Sequence, residues 1–452
     1  MPDTPFRTER DTMGALHVPA DALWGASTQR AVENFPVSGL RMPRRFLRAL
    51  GLVKAAAART NAALGRLDPA LAWAIADAAE AIADGTHDAH FPVDVFQTGS
   101  GTSTNMNANE VIARLAKAHP NDHVNLGQSS NDVIPTCLQL AAGLAIREVL
   151  LPAIEALEGT FERKATETWE VVKTGRTHLQ DATPIRLGQV FRGYAGQMAR
   201  TRRRLATALL DLDELPLGGT AVGTGVNTHP EFAARVCALL SERLGTPVRE
   251  TDNHPQAQAT LDAALAASAA VRSAALSLRK IADDVRWLAS GPRCGLGEIA
   301  LPEVQPGSSI MPGKVNPVIP ESLLMACAHA VGADTVVALA GHASQFELNT
   351  MLPLAAHHLV TSVEILGAAA ANFDRRCARG IVATARGPEL VERSLMLATA
   401  LVPHVGYDAA AAIAKEAASS GRTIREVARE RTTLTDAERA AILDSSRMTE
   451  PR

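Results

Sequence analysis

Apolar positions recur at helical spacing through the middle of this 452-residue chain. Within 146–173, Leu150, Ile154, Leu157 and Phe161 follow at steps of 4, 3 and 4, with Glu155, Glu158, Glu162 and Arg163 between them. An apolar stripe of that period predicts an amphipathic helix. Pro152 lies in its first turns, where a missing N–H costs least. Leu278, Ile281, Val285 and Leu288 repeat likewise within 258–290, and alanine fills much of the rest. Small residues on several faces predict a helix surrounded by other helices. Two more long patterns run from Pro320 to Ala340 and from Pro353 to Ala371. Long helices with short connections predict an elongated bundle.

The flanks read differently. Up to about residue 128, helical stretches alternate with Gly-, Asn- and Ser-rich loops. Beyond 387 come a proline-punctuated turn, an alanine-rich helix, a glycine-linked turn and another helix. The chain is therefore divided into an N-terminal mixed helical and loop domain (1–128), a central long-helix bundle (129–386) and a small C-terminal helical domain (387–452). The fold class is mainly α.

Composition sharpens this picture. Aromatic residues make up only 4%, which favours Ala, Leu and Val cores with closely packed helices over an aromatic-rich sandwich. The 45 basic and 48 acidic residues leave a net charge of −3. No global basic field recruits nucleic acid or an anionic membrane, so any anion site is built locally. Cys137, Cys237, Cys294, Cys327 and Cys377 are scattered singly. They fit buried thiols in a reducing compartment, and neither a disulfide framework nor a zinc site. The opening "MPDTPFRTERDTMG" has acidic residues and no apolar run, unlike a secretory or transit segment. No apolar stretch is expected to stay uncharged long enough to span a bilayer. A cytoplasmic protein is therefore expected.

Four stretches crowded with small polar residues are candidates for chemistry. In 97–110, "QTGSGTSTNMNANE", Ser100, Thr102, Ser103, Thr104, Asn105, Asn107 and Asn109 offer neutral hydrogen-bonding groups. They suit either the cap of a helix starting near Asn107 or a site for ligand oxygens. In 119–132, "HPNDHVNLGQSSND", the histidine and aspartate spacing fits no metal template. Ser129, Ser130 and Asn131 there suit a carboxylate. In 174–189, His178 follows Arg176 and Thr177; a histidine passes protons near neutral pH. In 307–317, "GSSIMPGKVNP", five residues separate Gly307 from Gly313 and Val315 follows Lys314. That spacing excludes a phosphate-binding P-loop. Lys314 and Arg176 are expected partners for a small anion. The loop is either a segment that closes over a ligand or a rigid turn into a helix at Pro320. "GGTAVGTG" at 218–225 lacks the dinucleotide spacing and is expected to let helices and loops approach closely.

Together these stretches resemble the fumarase/aspartase superfamily and, within it, the class II fumarases. "GSSIMPGKVNP" matches the superfamily's best-known pattern. "FQTGSGTSTNMNANEVIA" (96–113), "HPNDHVN" (119–125), "QSSND" (128–132), "GRTHLQDATP" (175–184), "GGTAVGTGVNTHPEF" (218–232), "RWLASGPRCGLGEI" (286–299) and "GYDAAAAIAKEA" (406–417) extend the likeness over nearly the whole chain. His178 after "GRT" sides with fumarases, since aspartases usually carry glutamine there.

The resemblance implies a three-domain, mainly α fold whose long bundle assembles into the helical core of a homotetramer, with active sites shared between subunits. It implies a small dicarboxylate substrate and reversible hydration of fumarate to (S)-malate through a carbanion (aci-carboxylate), a step of the tricarboxylic acid cycle. No metal, nucleotide or organic cofactor is implied. By motif position, Ser308 would take the C3 proton of malate. Lys314 and Asn316 would bind a carboxylate, with Lys314 stabilising the intermediate. Ser100, Thr102, Ser129, Ser130, Asn131, Thr177 and Ser309 would complete substrate binding. His178, oriented by Glu321, would handle the water proton. His119, Asn121 and Asp122 match a second dicarboxylate site, although Ala116 stands where some relatives carry arginine. Aspartate ammonia-lyase is the alternative activity, and an inactive structural homologue the non-enzymatic alternative.

Overall fold

The computed structural model describes residues 5–451. It opens with an antiparallel hairpin of β1 (Phe6–Asp11) and β2 (Gly14–Pro19), in register from Phe6 opposite Pro19 to Asp11 opposite Gly14. Helices α1 (Ala26–Asn34), α2 (Arg44–Ala63), α3 (Pro69–Ala83), α4 (Thr102–Ala116), α5 (Ser130–Ala145) and α6 (Leu151–Glu167) follow. A second hairpin, β3 (Val172–Thr177) and β4 (Gln180–Arg186), leads into α7 (Leu187–Leu212). Then come α8 (Phe232–Leu244), α9 (His254–Ala259), α10 (Asp262–Leu288), α11 (Val318–Gly341) and α12 (Leu352–Arg376). Five shorter helices, α13 (Arg386–Arg393), α14 (Val402–Val405), α15 (Tyr407–Ser420), α16 (Ile424–Arg431) and α17 (Asp436–Ile442), finish the chain.

The periodic stretches at 320–340 and 353–371 are helices, each a little longer than the pattern. The other two need correction. The helix expected over 146–173 stops at Glu167, and its upstream end is joined to α5 through a π-helical turn at Ile146–Leu150. The stretch 258–290 is two helices. Thr260 is extended, and its hydroxyl donates to Asp262 at 2.8 Å at the start of α10. A hydroxyl that bonds locally competes with the helical path.

Two more expectations are revised. Ser130–Glu167, Val318–Gly341 and Leu352–Gly380 are long and apolar enough to cross a membrane, by length and composition only. Alanine-rich helices with few charges reach that threshold inside a packed protein too, and the apolar window of Ser130–Glu167 is 72% buried. Cys294 is exposed, whereas the other four cysteines are buried as expected.

The chain forms two compact units. One comprises residues up to Pro152, Arg203–Ala275 and Ala326–Gly367. Its interior holds α5, in which every residue from Asp132 to Ala145 is buried; a helix apolar on all sides belongs in a core. α2 and α3 touch backbone to backbone at Gly51, where a Cβ would lie 2.5 Å from the Ala79 carbonyl oxygen. This is the close packing that the low aromatic content predicts. Segment 218–225 packs against α9, again as expected.

The other unit comprises Ala153–Arg202, Leu276–Met325 and the chain from Ala368 onward. Phe161, Phe191 and Tyr194 cluster with ring centroids 5.5–6.2 Å apart. The buried Tyr194 donates its hydroxyl to Asp284 at 2.9 Å, which satisfies its polar end. Leu397, Leu401, Ile413 and Val427 centre a separate apolar cluster under α15 and α16.

Candidate active site

In the first unit, α4 begins at Thr102, five residues before the expected start near Asn107. The Thr104 backbone N–H and hydroxyl both donate to Gln97 Oε1, at 2.9 and 2.8 Å, so a side chain upstream caps the early turn. Thr102 is therefore a first-turn residue. Its Oγ1 lies 2.7 Å from Ser100 Oγ and 2.7 Å from Ser130 Oγ. A row of three hydroxyls thus links the beginnings of α4 and α5.

Ser129 caps α5. Its Oγ accepts from the Asn131 N–H at 3.2 Å, and its own N–H donates to Asp132 Oδ1 at 2.9 Å. This reciprocal box fixes the first turn. The second Asp132 oxygen accepts from the N–H groups of Gly218 (3.0 Å) and Thr220 (2.9 Å). Burial pushes the Asp132 carboxyl up to about 6, against the pull of those donors. Asn131 donates its amide to the Ala221 carbonyl at 2.9 Å. Helix beginnings lined with neutral hydroxyls and amides favour an anion. His119, Asn121 and Asp122 also lie in this unit, all three exposed, with His119 capping the turn Pro120–Val124. There His119 Nδ1 accepts from the Asp122 N–H at 3.1 Å.

In the second unit, loop 307–317 is closed on itself. The Gly307 N–H donates to the Lys314 carbonyl at 2.7 Å, and Asn316 Nδ2 donates to the Gly307 carbonyl at 2.7 Å. A Cβ at Gly307 would fall 2.6 Å from the Lys314 oxygen, so glycine permits this closure. Ser308 Oγ accepts from the N–H groups of Ile310 (3.2 Å) and Met311 (3.0 Å). Ser309 is exposed. Lys314, Asn316 and Glu321 border a groove of about 620 Å³, with Arg286, Trp287 and Thr384.

Thr177 and His178 sit at the tip of the β3–β4 hairpin. His178 and Leu179 form its two-residue turn with φ of 57° and 61°. Both residues are left-handed, as in a type I′ turn, where Asn-Gly is the usual pair. Left-handed residues other than glycine are costly and gather at functional sites. Leu179 is 68% exposed, so it loses little packing on truncation. Leu179→Gly is expected to raise stability by about 0.5–1 kcal/mol, the relieved left-handed strain less glycine's extra entropy loss on folding, read as a higher melting temperature. A lower one would show that the turn carries no strain.

Arg176 corrects an expectation. Its guanidinium grips Glu298 with two bonds of 2.9 and 3.0 Å, and Lys173 Nζ approaches the same carboxylate at 3.2 Å. Glu298 is 1% exposed. Arg176 is thus committed to an internal ion cluster along β3, in place of the ligand-anion role expected of it. Burial lowers the pKa of Lys173, with Glu298 acting against it. Within the chain, no hydrogen bond joins Glu321 to His178 among the described residues. Nor do the described residues contain a cluster of three or more His, Cys, Asp or Glu able to hold a metal.

Sequence reading missed Asp132 and Glu298 as parts of this framework. Only Asp132 had a local signal, the Ser-x-x-Asp spacing from Ser129.

The likeness to known proteins spans both units. The family model described as "Lyase" matches residues 14–332, and that described as "Fumarase C C-terminus" matches 397–450. Fumarate hydratase class II of Nitrosomonas europaea is 51% identical over 436 residues, covering 94% of each chain. Fumarate hydratase class II 2 of Pseudomonas aeruginosa is 50% identical over 99% of both chains. Among solved structures, class II fumarase from Schistosoma mansoni aligns with a TM-score of 0.95 at 37% identity, over 98% of this chain and 99% of that one. Fumarate lyase:delta crystallin from Brucella melitensis, solved with cobalt bound, gives 0.94 at 44% identity, over 99% of this chain and 100% of that one. Half the residues are thus shared over nearly full length, on one mainly α fold, and the chain belongs to the class II fumarate hydratase family.

Proposed function

We propose that the protein catalyses the reversible hydration of fumarate to (S)-malate, as a cytoplasmic step of the tricarboxylic acid cycle. Full-length identity to relatives named fumarate hydratase supports the reaction. The observation that carries the mechanism is the pair of backbone N–H groups donating to Ser308 Oγ. A serine is a poor base unless its alkoxide is stabilised, and hydrogen bonds to the charged form favour that form. Ser308 takes the C3 proton of malate, and the adjacent carboxylate gains the electron pair as an aci-carboxylate. Lys314 and Asn316 meet that developing charge, each well-placed donor contributing about 3–4 kcal/mol. The hydroxyls of Ser100, Thr102, Ser129, Ser130, Thr177 and Ser309, with the Asn131 amide, hold the dianion using neutral groups. Excess positive charge would bind ground and transition states alike, without a gain in rate.

His178, oriented by Glu321, protonates the departing hydroxyl, and the reading assigns no cofactor. The proposed assembly is a homotetramer with active sites shared between its subunits. In that reading 1–128, 129–386 and 387–452 are its three domains. His119, Asn121 and Asp122 form a second dicarboxylate site, in which His119 Nδ1 is already engaged and Nε2 is left for the anion. The test is to supply malate and aspartate separately and follow fumarate by ultraviolet absorbance. Fumarate is expected from malate alone. Formation from aspartate alone would overturn the reading in favour of an ammonia-lyase, and from neither in favour of an inactive homologue.

A further inference from the structure

Lys54, on α2, is 0% exposed, yet no carboxylate is hydrogen-bonded to it. Its ammonium donates to Asn125 Oδ1 and Gln128 Oε1, both at 3.0 Å. Asn125 Oδ1 also accepts from the Asn105 and Asn109 amides of α4, each at 3.2 Å. The Asn125 amide in turn donates to the Gln128 carbonyl at 3.1 Å. One cation therefore ties α2, α4 and segment 125–128 together, and that segment runs directly into Ser129, Ser130 and Asn131.

Neutral amides solvate an ammonium without cancelling its charge, and burying a charge without a paired counter-ion is expensive. An apolar side chain would fill the same space at lower cost. Asp132 and Cys137, both on α5, are the titratable groups acting on Lys54. α3 and α8, which also pack on α2, bring none to it. Asp132 is itself taken up by three backbone N–H groups. The result is an incompletely neutralised positive charge, in a low-dielectric interior, behind the two helix beginnings that carry the hydroxyl row.

We propose that Lys54 is a positioning residue for the dicarboxylate: it fixes segment 125–131 and supplies the buried positive charge towards which Ser129, Ser130 and Asn131 hold a substrate carboxylate. This rests on the reading that those three residues bind substrate. Burial brings the Lys54 ammonium down to about 7, with Cys137 and Asp132 opposing the shift. Its charge is lost as pH rises through that value, so substrate binding weakens on the alkaline side.

The test measures KM and kcat for malate across the neutral range in Lys54→Met, which keeps the volume and removes the charge. KM is expected to rise about tenfold with kcat changed less than about threefold. The alkaline rise in KM seen in the parent should vanish in the variant. An unchanged KM and pH profile in folded protein would overturn the proposal. Should Lys54→Met not fold, Gln128→Glu decides. It keeps the ammonium but neutralises it, and KM should rise in the same way; an unchanged KM there overturns the proposal. Ser130→Ala and Asn131→Ala separate the two readings. If neither raises KM, the carboxylate assignment falls. If they do while Lys54→Met and Gln128→Glu do not, only the role of Lys54 falls.

Discussion

Ser308→Ala is expected to lower kcat for malate dehydration by about 10²–10⁴-fold, with little change in melting temperature. The variant removes the one oxygen on which the Ile310 and Met311 N–H groups converge. Loop closure does not depend on that oxygen alone. Gly307 still bonds the Lys314 carbonyl, and Asn316 still bonds Gly307. The loss therefore falls on chemistry more than on fold. Ser309→Ala is the matched control, because Ser309 is exposed and lies outside the N–H pair. It should act mainly through KM. If Ser309→Ala costs more in kcat than Ser308→Ala, the base is Ser309, and full activity in Ser308→Ala removes serine 308 from the mechanism without touching the family assignment.

Glu298→Gln is expected to destabilise the protein by about 3–5 kcal/mol, the usual consequence of breaking a buried ion pair from one side. One carboxylate here answers two cations, Arg176 and Lys173, and all three side chains are at most 15% exposed. Glutamine leaves the two cations facing each other, with Asp284 the remaining carboxylate acting on Lys173. The hairpin that presents His178 is anchored at that point, so kcat should fall along with stability. Denaturant unfolding gives the stability loss. Adding Lys173→Met should recover part of it, because the two sites share one partner. A Glu298→Gln protein as stable as the parent would mean that the cations are neutralised by other groups.

The long helices were legible because their periodicity is local. α11 and α12 stand where the apolar spacing puts them. The β3–β4 hairpin was not legible, because its turn is His178-Leu179 in place of a glycine or asparagine pair. The start of α4 was hidden for a related reason. Six of the eight residues from Thr102 to Asn109 are Thr, Ser or Asn, which favour caps and turns. The candidate site divides the same way. The hydroxyl residues and loop 307–317 sit in contiguous motifs that a single pass along the chain can find. Lys54 and Arg176 take their roles from partners 71 and 122 residues away, and no local pattern announces such a pairing.

The row Ser100–Thr102–Ser130 has a direction that its oxygen positions do not fix. Each hydroxyl both donates and accepts, so all three protons can swing together and reverse the row without moving a heavy atom. A carboxylate at one end selects the orientation that gives it a donor. Its departure lets the row turn back and satisfy itself. The donor strength of such a relay grows as the acceptor gains charge, because each polarised bond strengthens the next. A substrate that passes from dianion to a more highly charged intermediate would therefore be held most firmly at the moment its charge peaks.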